Sequence, residues 1–172
     1  MCGTGFQPVK TRDGSPRHSI FNALSRQWPG NVWGSARVTA RITIQTRRQG
    51  LHEITDQVQA VVHEADVKDG LCTILVQHTS ASLTIQENAD PSARRDLEAW
   101  LNRLVAENDP LYTHTSEGPD DMPPHIKAAL TATTLSIPII DGRLALGTWQ
   151  GIYLWEHRHC GTARHCVVHI SS

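Results

Sequence analysis

The sequence contains no apolar run that approaches the roughly 18 residues a membrane span requires, and its N-terminus has no apolar signal-peptide core. It also lacks a dominant charge sign, with 16 Lys and Arg against 17 Asp and Glu and a formal net charge of −1. Neither nucleic acid nor a membrane is therefore an expected partner. The cysteines Cys2, Cys72, Cys160 and Cys166 form no C-x-x-C pair and are too sparse for a disulfide framework, so reduced thiols and a cytoplasmic location are expected. No G-x-S-x-G elbow surrounds Ser80 or Ser82, which disfavours acyl transfer. Phenylalanine and tyrosine are scarce at two each, whereas there are ten histidines. That imbalance favours metal or proton chemistry.

At 172 residues the chain has the length of one domain. Residues 1–35, punctuated by Gly and Pro without a periodic apolar face, are expected to form a flexible N-terminal extension before a domain over 36–172. Val38, Ala40, Ile42 and Ile44 alternate with polar residues, as in a half-buried strand. A short strand through His52 leads to Thr55, read as the cap of a helix with Val58, Val61, Val62 and Ala65 at helical spacing. Leu71 to Val76 reads as a central strand covered on both faces. Asp90-Pro91 starts a helix whose inner face is Leu97, Trp100, Leu101 and Leu104. Asp141-Gly142 is a strong hairpin signal, and Val167, Val168 and Ile170 form the last strand. About eight strands and three helices imply an α+β fold with a largely antiparallel sheet.

The stretch from Tyr112 to His125 concentrates charge, imidazoles and three prolines, and reads as a held loop ending at a helix N-terminus capped by Asp120 or Asp121. His114 and His125 offer imidazole ligands; with His78 as third ligand and Asp120 or Glu117 in support, the set suits zinc. Magnesium on Asp120 and Asp121 is the rival, and an ordinary capped helix after a polar loop is the alternative to both. His78 ends a strand, and alternation places it on one face with Ser80 and Ser82, a set suited to an oxyanion. Arg143 and Arg158 lie at hairpin ends near Trp149-Gln150-Gly151, where guanidinium forks suit phosphate. Trp149 and Trp155 are read as packing residues, Trp155 in the core or at a subunit contact, with a stack of Trp149 on a ligand ring as the sharper alternative.

Several ungapped blocks carry a resemblance: His78 to Ile85, Asn88 to Pro91, Glu117 to Pro123, His125 to Leu130, Gly142 to Tyr153 and Glu156 to Arg158. Over roughly residues 37–171 the chain resembles the YjbQ family of small bacterial and archaeal proteins. The resemblance implies a compact subunit that assembles as a homotrimer. It also implies weak thiamine-phosphate synthase activity, a transferase reaction joining a pyrimidine methyl diphosphate to a thiazole phosphate with loss of diphosphate. The expected catalytic residues are then His78, His125 and Glu117; Ser80, Ser82, Arg143, Gln150 and Arg158 would hold a small phosphorylated molecule. The expected metal set is His78, His114, His125 and Asp120, for zinc or magnesium. The alternative function is a trimeric metal- or anion-binding protein with only incidental synthase activity. The chain departs from the family pattern at His159 to His165, where a proline and denser basic residues are expected.

Overall fold

The computed structural model describes residues 37–172; the stretch expected to form an N-terminal extension lies outside them. Within the described residues the order is β1 (Arg37–Gln45), β2 (Arg48–Glu53), α1 (Thr55–Ala65), β3 (Gly70–Val76), β4 (Ala81–Glu87), α2 (Pro91–Leu104), α3 (Met122–Leu130), β5 (Thr134–Ile140), β6 (Arg143–Leu144), β7 (Gln150–Cys160) and β8 (Ala163–Ser171). The strands form a five-stranded sheet, β1-β8-β3-β5-β6, and a three-stranded sheet, β2-β7-β4. Every strand pair among them is antiparallel. The fold is thus α+β, with the hairpins clustered toward the C-terminal end as expected. No helix among the described residues is long and apolar enough to cross a membrane.

The main core lies between the two sheets. Ile44, Cys72, Ile74, Leu83, Ile137, Ile152, Leu154, Val168 and Ile170 meet there, joined by Val58, Val61 and Val62 from α1. Each fully buried aliphatic side chain stabilises the fold by about 1.5–3 kcal/mol. A smaller cluster of Leu101, Val105 and Trp155 sits on the other face of the three-stranded sheet, under α2 and α3. β7 is therefore covered on both sides, and residues 151–157 are all buried. Its even positions face the inter-sheet core and its odd positions face the helices, as strand alternation requires.

Several expectations are corrected. Thr55 does not cap α1; Ile54 holds that position without a side-chain bond, while the Thr55 hydroxyl donates to Glu53 and accepts from the Ile152 amide at 2.9 Å. Leu71 and Leu75 are 41% and 43% exposed, so β3 is central but not covered on both faces. Along α2 and its C-cap the inner stripe is Leu97, Leu101 and Val105, four residues apart, and the intervening Trp100 and Leu104 point outward. Cys72 and Cys166 are buried free thiols, whereas Cys160 is disulfide-bonded, against the expectation of reduced thiols. Other expectations hold. Asp90 caps α2 through Ser92 N, Asp141 and Gly142 adopt positive φ at the β5–β6 turn, and Trp155 is packed.

Candidate metal centre

Proline sets up the cluster at the start of α3. A capping side chain accepts from the amides of the second or third helical residue. In α3 those residues are Pro123 and Pro124, which have no N–H. Asp121 occupies the cap position but makes no cap bond, so the capping role expected of it is not realised. Its carboxylate turns elsewhere: Oδ2 accepts from the Glu117 amide at 2.9 Å, and Oδ1 lies 3.2 Å from His114 Nε2. His125, one turn into the helix, stands edge-on to His114 with ring centroids 5.2 Å apart. One ligand atom from each of His114, Asp121 and His125 can be chosen so that all three lie within 4.8 Å of one another. Two imidazoles and one carboxylate suit zinc or another divalent transition metal.

Arg158 leaves the buried run of β7 directly into this loop. Its Nη1 lies 3.0 Å from Glu117 Oε2 and 3.4 Å from Asp121 Oδ1, and its Nε lies 3.2 Å from Asp120 Oδ2. Asp120 Oδ2 also accepts from the His159 amide at 3.0 Å. Asp120 thus ties the loop to β7, and Asp121, not Asp120, faces the histidines. Beneath the cluster, the buried Lys127 ammonium donates to Asn102 at 2.6 Å. Burial lowers the Lys127 pKa, and the charges of Glu107 and Asp120 work against that shift.

The other residues read as site components in the sequence do not join this group. β3 ends at Val76 and β4 begins at Ala81, so the alternation assumed for His78, Ser80 and Ser82 is broken between them. His78 Nε2 accepts from the His165 amide at 2.8 Å, and its ring stacks on His165. A neutral imidazole has one acceptor nitrogen, so Nδ1 carries the proton, and the 3.3 Å approach of Arg164 Nη1 to it is a charge contact. Burial first, then Arg164 and His165, lower the His78 pKa. Arg164 pairs with the buried Glu156 carboxylate through Nε at 2.6 Å and through Nη2, and Thr46 donates to Glu156 at 2.8 Å. Ser82 is fully buried on the helix side, 2.9 Å from His157 Nε2, and the Ser80 carbonyl accepts from the His157 amide. Burial, aided by Lys127 and Arg164, pushes the His157 pKa down to about 3. Arg143 is exposed on β6 and forms no ion pair among the described residues, and Gln150 closes a turn onto the Gly147 amide at 2.8 Å.

The residue reading therefore paired His114 with His125 but did not place Asp121 beside them in its metal set. The signal was present in the sequence: Pro123-Pro124 removes the amides that would otherwise hold the Asp121 carboxylate. Glu156 and His157 went unassigned because nothing in a strand pattern shows that both faces of β7 are buried.

Comparison with known proteins adds a family. The model of the UPF0047 protein YjbQ-like family matches residues 40–172. The chain is 52% identical over 130 residues to a UPF0047 protein of Synechocystis, covering 76% of this chain and 88% of that protein. It is 43% identical over 127 residues to the UPF0047 protein YjbQ of Escherichia coli O157:H7, covering 73% and 91%. Among solved structures, an uncharacterised yjbq/upf0047 family protein of Clostridium acetobutylicum is 34% identical, covers 76% of this chain and 98% of its own, and superposes with a TM-score of 0.70. A protein of unknown function from Sulfolobus solfataricus P2 superposes with a TM-score of 0.73 at 26% identity, covering 80% and 99%.

Proposed function

Because the chain belongs to the UPF0047 YjbQ-like family, whose matched names state no reaction, we propose from its own side chains that it is a metal-binding protein centred on His114, Asp121 and His125. The observation that carries this reading is the convergence of three ligand atoms within 4.8 Å. Asp121 is 1% exposed and held by the Glu117 amide, so little side-chain freedom is lost when it ligates. His114 Nε2 faces Asp121 Oδ1 at 3.2 Å, close enough for one cation to engage both. A divalent ion bound there would supply Lewis acidity toward a water or a phosphoryl oxygen.

Thiamine-phosphate synthase activity is the finer reading and stands second. It rests on the family resemblance and on Arg158 lying beside the cluster. Arg158 reaches a phosphate only by releasing Glu117, Asp120 and Asp121, and Ser82 reaches one only by leaving His157. Synthase turnover is accordingly proposed as incidental to metal binding. Assembly as a homotrimer is proposed on the same resemblance, supported by Leu71, Leu75 and Ile140, which stay exposed on the outer face of the five-stranded sheet.

One experiment tests both. Protein purified without chelators is resolved by size exclusion with light scattering, and the peak is analysed for metals beside the His114→Ala/His125→Ala variant. Near-stoichiometric zinc or another transition metal, lost in the variant while the trimer mass persists, is expected. Absence of metal from both proteins after resupply overturns the centre, and a monomer mass overturns the trimer.

A further inference from the structure

A second concave feature lies at the other end of β7, away from the residues assigned to metal. Glu87 pairs with Gln150 and Ile85 with Ile152 where β4 and β7 end, and alternation puts Glu87 and Ile85 on the strand face that carries the core residue Leu83. Here the inter-sheet core runs out. An open trough of about 400 Å³ remains, lined by Ile85, Gln86, Glu87, Trp149 and Gln150.

Its wall is unusual for an exposed aromatic. Trp149 is 65% exposed, yet its backbone is anchored. The Trp149 carbonyl accepts from the Asn88 amide at 3.0 Å, and the Gln150 amide returns to the Gly147 carbonyl at 3.0 Å. A large apolar ring is thus held in solvent by a fixed turn and covered by nothing among the described residues. Glu87 presents a carboxylate to the same trough and forms no side-chain hydrogen bond or ion pair among the described residues. Glu53 lies on the opposite, helix-side face of the sheet, where a Cβ on Gly151 would sit 2.7 Å from its Oε1, and is not part of the trough. The nearby guanidinium of Arg94 lies over the Tyr153 ring, 5.8 Å from its centroid, and does not line the trough.

We propose that this trough binds a planar aromatic cation, stacked on Trp149 with Glu87 as counter-charge and Ile85 as apolar floor. An indole face attracts a cation by about 0.5–2 kcal/mol, depending on how far the pair is desolvated. The Glu87 carboxylate favours a charged ring over its neutral isostere, and a probe with a pH-independent charge isolates that preference. The lining offers one acidic side chain and no basic one, so it disfavours phosphate. Gln150 therefore belongs to a cation subsite and not to the phosphate-binding set expected from the sequence. The proposal stands apart from the metal centre and shares no residue with it.

The test uses 15N-labelled full-length protein at pH 7.5, with 1-methylquinolinium as probe, neutral quinoline as its uncharged counterpart, and inorganic phosphate. The Trp149 indole N–H signal is identified by its loss in Trp149→Phe. A saturable shift of that signal by 1-methylquinolinium is expected, with quinoline and the Glu87→Gln variant each binding about ten-fold more weakly. Both substituted side chains are exposed, and an unchanged amide spectrum shows that each variant is folded. Equal binding of quinoline, a shift driven by phosphate, an unchanged affinity in Glu87→Gln, or no shift at about 10 mM probe overturns the proposal. A Trp149 signal that moves with protein concentration alone also overturns it, since a second copy of the chain would then fill the trough.

Discussion

Three consecutive residues of β7 divide the molecule's polar interior into two kinds. Glu156 points between the sheets to Arg164 and Thr46, and His157 points under the helices to Ser82. Arg158, one residue on, enters the loop that carries His114, Asp121 and His125. The residue types on the two sides are nearly the same. In the β7–β8 interior each polar group is taken up: Glu156 by an arginine and a threonine, His78 by a backbone amide, His157 by a hydroxyl. Among the described residues no buried side-chain nitrogen or oxygen lacks a partner. In the loop the carboxylates are paired as well, Asp121 Oδ1 with His114 and with Arg158, but there three potential ligand atoms from His114, Asp121 and His125 also converge. What separates the two regions is the convergence of ligand-capable atoms on one point in the loop, and neither residue type nor burial alone decides it.

The sharpest way to break the comparison is to leave the interior half-paired. Glu156→Gln strands the Arg164 guanidinium at 4% exposure, and removing one partner of a buried pair costs about 3–5 kcal/mol. Urea unfolding is expected to show that loss. The double variant Glu156→Leu/Arg164→Met should recover most of it, because no buried charge is then left alone. A Glu156→Gln protein as stable as wild type would mean that the pair is solvated and that the interior resembles the loop after all.

A second test reads the interior by pH. His157 is held neutral in the folded state, its pKa pushed from 6.5 down to about 3 mainly by burial. The unfolded chain takes up that proton below pH 6.5 and the folded chain does not, so the unfolded state gains as pH falls. The contribution is complete above about pH 6.5 and is lost progressively toward pH 3, by at most about 5 kcal/mol at ~1.4 kcal/mol per unit. Between pH 7 and pH 5, before most carboxylates titrate, the wild type should lose about 2 kcal/mol that His157→Gln does not lose. Parallel pH profiles in urea unfolding would show that His157 is hydrated, contrary to its burial.

Local periodicity made much of the fold legible. Alternation from Val38 to Ile44, the Asp90-Pro91 start and the Asp141-Gly142 turn each act within a few residues, and each appears where local rules put it. What stayed hidden depends on partners distant in sequence. Leu71 to Val76 is uniformly apolar, which describes a central strand but not whether anything covers its outer face. Trp100 and Leu104 are apolar, yet the three-stranded sheet meets α2 along Leu97 and Leu101. The candidate site divided in the same way. His114 and His125 come together because a short loop and one helical turn join them, whereas His78 was grouped with them on composition and is instead held by the His165 amide of β8.

The finest distinction lies between two adjacent carboxylates. Asp120 and Asp121 are indistinguishable by composition, and the sequence favoured Asp120 as ligand. In the structure Asp120 is committed to Arg158 Nε and the His159 amide, while Asp121 Oδ1 faces His114 as well as Arg158 Nη1. Asparagine at 121 keeps the shape and an acceptor oxygen but removes the charge that suits a divalent ion. Asp121→Asn should therefore weaken zinc binding about 10- to 100-fold, measured by competition with a chromophoric chelator. Asp120→Asn should change it by less than about threefold, because the loop keeps its other ties through Glu117 and the Asp121 carboxylate. The reverse order would return Asp120 to the metal set. It would also mean that the loop rearranges around the cation, releasing Arg158 from the carboxylates, and the phosphate-binding role of Arg158 would then regain its footing.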